Sequence, residues 1–131
     1  MKELIEKFRD IERMLSQEIG EFSLFALFLR EDSIDKWDLI VASDWIDGHR
    51  KEALSLITDR IKNNLTAHEL SKLSRVVLVE MSNPAIAAIS HDVSISHGLF
   101  EIQNSNFFGL GIQHAYIITS RLPNVQEEVP V

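Results

Sequence analysis

Cysteine is absent from this chain of 131 residues. That excludes a disulfide framework, a thiolate metal site and a cysteine nucleophile, and it fits a reducing, cytoplasmic setting. Glycine and proline are scarce, at five and three. The glycines stand singly, so there is neither a Gly-rich phosphate loop nor a dinucleotide-binding fingerprint. No serine occupies a nucleophile elbow, and no two histidines have the i, i+4 spacing of a helical metal site. No apolar run approaches the roughly 20 residues of a membrane-spanning helix; "FSLFALFL" has the length of a strand. The opening stretch "MKELIEKFRDIERML" is charged throughout, so no signal peptide is expected.

Basic charge is also short, and unevenly placed. The net charge is −7. Residues 1–49 carry six basic and twelve acidic side chains, 50–75 six and three, and 76–131 one and five. A nucleic-acid binder usually concentrates basic charge on one face. Here the 50–75 segment gives only a mild polarity, so a nucleic-acid accessory role through that face is the weakest of the readings kept.

What is present reads as one α+β domain over residues 1–120, with 121–131 as a flexible tail. Leu4, Phe8, Ile11 and Leu15 stripe a helix over 2–19, ended by Gly20. Residues 22–30 form a strand apolar on both faces, with Phe22, Leu24, Ala26 and Phe28 on one and Phe25, Leu27 and Leu29 on the other. A short polar loop leads to a second strand, 37–43, in an antiparallel hairpin. A helix follows over 47–64, capped by Asp47, then a short one announced by the capping-box pair Thr66 and Glu69. Residues 75–81 read as a second interior strand. Asn83 and Pro84 start a helix over 84–90, and strands at 98–104 and from 110 close the chain. The order α-β-β-α-α-β-α-β-β implies about five strands in a mainly antiparallel sheet, with helices packed on it. Strands apolar on both faces need cover on both. Either the first helix crosses to the face opposite the 47–72 helices, or a second subunit supplies the cover; a homodimer or higher oligomer is expected.

Candidate chemistry is sparse. His91, His97 and His114 could approach one another across a hairpin and hold zinc, though nothing in their spacing requires it, and loop or surface histidines are the plainer reading. Neither metal nor cofactor is expected. Glu31, Asp32, Asp35 and Asp38 surround a turn; they lack the EF-hand pattern and read as a solvated acidic loop. Trp45 stands where a strand hands over to a helix, as a hydrophobic staple or the rim of a cleft. Alternation from 110 puts Leu110, Ile112, His114, Tyr116 and Ile118 on one face. Trp45, His114 and Tyr116 are therefore the ligand-pocket candidates. Phe107 and Phe108 lie at the hairpin turn, where both cannot easily be buried, and are the interaction candidates.

With "LFALFLREDSIDKWDLIVASDWI" and "NSNFFGLGIQHAYIITS", the chain resembles an uncharacterised prokaryotic α+β domain family of unknown function over nearly its whole length. The resemblance implies a bacterial or archaeal cytoplasmic protein, alone or beside an unrelated partner. It brings no activity and no site residues. The favoured reading is a non-catalytic protein-interaction or regulatory accessory module that self-associates. The alternative is a small-molecule-binding domain or enzyme with a pocket near Trp45, His114 and Tyr116. No catalytic motif decides for an enzyme.

Overall fold

The computed structural model describes residues 1–107 and 109–121. Its elements are α1 (Lys2–Ile19), β1 (Leu24–Arg30), β2 (Trp37–Ala42), α2 (Asp44–Gly48), α3 (Arg50–Asn64), α4 (Ala67–Leu70), β3 (Leu73–Leu78), α5 (Pro84–Asp92), β4 (Phe100–Phe107) and β5 (Leu110–Ser120). They build one five-stranded sheet in the order β3-β2-β1-β5-β4, antiparallel except where β2 and β3 run parallel. The parallel pair follows from the connection, since a chain that leaves one strand and returns alongside it needs a helical crossover, here α2 to α4. The α+β architecture and the mainly antiparallel sheet agree with the sequence reading.

The stripe of α1 packs with Ala53, Ile57 and Ile61 of α3 on one sheet face, against Phe25, Leu27, Leu39, Val41 and Ile118. Each such fully buried side chain contributes about 1.5–3 kcal/mol relative to exposure. At the end of α1 Gly20 takes φ 90, a conformation that only glycine adopts without strain. So α1 does not cross to the other face. That face is covered by α5, whose Ile86 and Ile89 pack on Leu24, Ala26, Ile112, Ala115 and Ile117. Because α5 is only nine residues long, it leaves the β3 side of this face open.

Several local expectations are corrected. The helix expected over 47–64 is broken at His49; Ser43 caps the short α2, its Oγ accepting from Ile46 N at 3.2 Å, and α3 starts after His49 without a side-chain cap, so Asp47 caps neither. Asp47 instead accepts from Met81 N at 3.1 Å, tying α2 to the turn before α5. The strand expected inside the sheet at 75–81 is its edge, spans Leu73–Leu78 and is half exposed; its side chains meet core on both faces while its outer edge lies open. Phe22 precedes β1 and belongs with Phe25, edge to face at 5.1 Å. The strand alternation from 110 is also interrupted. Against β1, the register of β5 shifts between Leu29 and Arg30 and again between Phe25 and Ala26. Each shift inserts one residue in β5 and re-aims those beyond it. Ile112 consequently joins Ala115 and Ile117 on the α5 face, while His114, Tyr116 and Ile118 face the other way. Thr119 turns to α1, where its Oγ1 donates to Glu12 Oε2 at 2.8 Å.

Among the described residues no helix is long and apolar enough to cross a membrane. Phe108 and residues 122–131 of the expected tail lie outside the described residues.

Candidate binding cleft

The open part of the α5 face is a cleft of about 580 Å³, within the size range of small-molecule sites. Phe28, Ile40 and Val77 give it an apolar floor, the start of α5 one wall, and Phe107 and Leu110 at the end of the β4–β5 hairpin the other. Phe107 stacks on Phe28 with ring centroids 5.1 Å apart and planes at 25°. The hairpin aromatic thus turns inward and shapes the cleft.

Charge enters this apolar cleft through the sheet register. Asp38 of β2 lies on the same face as Ile40, is 2% exposed, and stands opposite Arg75 in the parallel pairing with β3. Arg75 Nε lies 3.3 Å from Asp38 Oδ2, and Arg30 Nε lies 3.0 Å from the same oxygen. Two cations on one buried carboxylate meet the cost of removing it from water. The coverage is incomplete. Neither Nε contact has hydrogen-bond geometry, and among the described residues both Arg30 Nε and Asp38 Oδ1 are buried without a hydrogen-bond partner. A third arginine, Arg50, donates Nη2 to Leu78 O at 3.0 Å from across the cleft mouth. The lining therefore holds three arginines against Asp38 and Glu80, a local balance of +1 on a chain of −7. The amides at the start of α5 do not add to it. Pro84 has none, and Asn83 takes those of Ala85 and Ile86.

The pocket expected from Trp45, His114 and Tyr116 is not assembled as a group. His114 and Tyr116 do adjoin, with centroids 4.6 Å apart, but they pack on Trp37 at 5.6 and 5.4 Å. Trp37 begins β2 and Trp45 follows its other end, about 17 Å along a strand of this length. Trp45 lies inside α2 and stacks flat on His49 at 4.4 Å; it is neither a staple before the helix nor near His114. The His114 Nε2 meets Glu101 Oε2 at 2.6 Å. Burial, and then Glu101, push the Tyr116 phenol above its ordinary 10.0.

The three histidines considered for zinc do not converge. His91 faces Asp92 at 3.5 Å, and His97 meets Glu12 and Glu21, whose ligand atoms lie within 4.8 Å of one another and of its ring. Those three residue types could hold a metal ion, and here they are already in contact with one another and with Arg121. His97 Nδ1 is 2.6 Å from Glu12 Oε1, Nε2 is 3.0 Å from Glu21 Oε2, and Arg121 stands 3.2 Å from the same Glu21 oxygen. Ser16 and Thr119 both donate to Glu12 Oε2. The hydrogen bond that His97 donates to Glu12 is the main cause that raises its pKa above 6.5; burial opposes it, and both carboxylates add charge in its favour. The His97 ring bridges Glu12 and Glu21 and links α1 to the segment before β4.

Two of these residues were misplaced or passed over in sequence reading, and each had a signal. Asp38 reads as one of four loop carboxylates, yet it alternates with Ile40 and Ala42 inside an apolar strand. Glu12 sits four residues after Phe8 on the buried stripe of α1. A charge on a buried face requires a partner. Comparison with protein-family models, curated proteins and solved structures found no match for this chain.

Proposed function

We propose that this chain is a small, non-catalytic binding domain whose cleft on the α5 face takes an anion with an apolar body. The observation that carries the reading is the placement of Arg30, Arg50 and Arg75 around an apolar floor of Phe28 and Ile40. Guanidinium groups recognise carboxylates and phosphates through planar pairs of donors, and the floor supplies the area that a ligand would bury. Isothermal titration with octanoate and 3-phenylpropionate at low salt tests it. Binding that is lost in Arg75→Gln supports the reading; no heat of binding, or binding indifferent to Arg75→Gln and Arg50→Gln, contradicts it. This keeps a small-molecule role but moves the pocket away from Trp45, His114 and Tyr116. Two of the basic residues of the 50–75 segment, Arg50 and Arg75, take part in the cleft, which leaves less of that segment for a nucleic-acid face.

A second reading is the self-associating accessory module. It is favoured by β4, which ends the sheet: Leu99 just before it and Phe100 at its start are 40% and 45% exposed. Apolar groups beside an open strand edge favour pairing with another chain. Light scattering on the eluting protein tests it: a dimer that Phe100→Asp converts to a monomer supports the reading, and a monomer at all concentrations removes it. The absence of cysteine supports a cytoplasmic setting for either role, and the resemblance to a prokaryotic domain family belongs to the same proposal.

A further inference from the structure

Resting on the anion-binding reading above, we infer that the ligand is a zwitterion: an α-amino acid with an apolar side chain. The argument starts from what the cleft leaves unmatched. Asp38 is a carboxylate 2% exposed that lines the cavity, and its Oδ1 has no hydrogen-bond partner among the described residues. A buried acceptor left without a donor is unfavourable, and more so when it is charged. A ligand that carries only an anion would bring no donor to this oxygen and would add a second negative charge beside it.

The Arg75 guanidinium is next to that carboxylate, at 3.3 Å through Nε, and its side chain is 52% exposed. Its two Nη groups make no hydrogen bond among the described residues. Cation and carboxylate thus stand side by side, held there by the pairing of β2 with β3. An α-amino acid presents the complementary pair, an ammonium and a carboxylate one carbon apart. With the ammonium on Asp38 Oδ1 and the carboxylate on Arg75, the side chain points to the apolar floor made by Phe28, Ile40 and Phe107. Such a ligand is neutral overall, so the local balance of charge is kept and the unmatched oxygen gains a donor.

The test is a titration series on the full, unmodified chain. L-Phenylalanine and L-leucine are compared with 3-phenylpropionate and 4-methylpentanoate, which lack only the amino group. A site that hydrogen-bonds a group discriminates strongly against a ligand without it. The amino acids are expected to bind tighter than their counterparts by about tenfold or more. In Asp38→Asn that preference should shrink to near parity. If the amino-free acids bind as well as or better than the amino acids, the inference is overturned, Asp38 is only an anchor for the arginines, and the anion reading stands. If no compound in the series binds, both fall. Should Asp38→Asn fail to fold, the series on the unmodified chain decides alone.

Discussion

Asp38 on β2 and Arg75 on β3 are partners in the parallel register, and Arg75 Nε stands 3.3 Å from Asp38 Oδ2. The pair makes one edge of the sheet both a structural joint and the charged part of a cleft. It also sets unequal consequences for the two residues. Asp38→Ala leaves the buried Arg30 Nε without its carboxylate, with only the exposed Asp32 still paired to that guanidinium, and is expected to cost about 3 kcal/mol in a urea titration, the low end of the range for breaking a buried pair. Arg75→Met, at a half-exposed site with Arg30 still in place, should cost about 1 kcal/mol. Equal losses would contradict the assignment of Asp38 as the buried anchor.

Phe107 is expected to matter for stability and for ligand together. Its ring lies on Phe28 and walls the cleft. Phe107→Ala should cost about 1–2 kcal/mol, below the range for a fully buried phenylalanine, and should weaken binding of 3-phenylpropionate. Loss of self-association with cleft binding intact would instead favour the interaction role expected from sequence.

The His97 chain predicts a dependence on alkaline pH. Its folded pKa is raised above 6.5, chiefly by the hydrogen bond to Glu12. The stabilisation is therefore fully present below 6.5 and is lost as pH rises through the higher folded value. Denaturation from about pH 6 to pH 9 should show falling stability in the native chain. In His97→Gln this slope should flatten; an unchanged slope would show that other groups cause it.

Glu69 predicts the opposite sign on the acid side. A hydrogen bond from Lys7 at 2.6 Å, then one from the Thr66 backbone, hold its carboxyl at about 2 against an ordinary 4.5. Its contribution is present above 4.5 and is lost as pH falls through about 2. Lys7→Met should move the Glu69 titration back towards 4.5, read by NMR of its side-chain carbonyl. A carboxyl still titrating at about 2 would assign the shift to the capping box alone.

Much of the fold was legible because it rests on local rules. The stripe of α1, the hairpin of β1 and β2, the capping box at Thr66 and the Asn-Pro start of α5 each follow from spacing or capping chemistry, and each is present. What was not legible depends on long-range pairing. A run such as "RVVLV" is apolar whether it lies inside a sheet or at its edge, so β3 was placed inside. The two bulges in β5 arise from its register against β1 and leave no mark in a period-two pattern. They moved Ile112 onto the cleft face and kept His114 and Tyr116 off it. The cleft itself joins residues from β1, β2, β3 and the last hairpin. No motif spans that distance, and only the lone acid within an apolar strand pointed to it.

The most direct test of the cleft is an NMR titration of the labelled chain with 3-phenylpropionate, following the arginine Nε–H groups and the phenylalanine rings. The account predicts saturable shifts at Arg30, Arg75, Phe28 and Phe107, with Trp45 unmoved. Shifts centred on Trp45, His114 or Tyr116, or none at any of these groups, would contradict it.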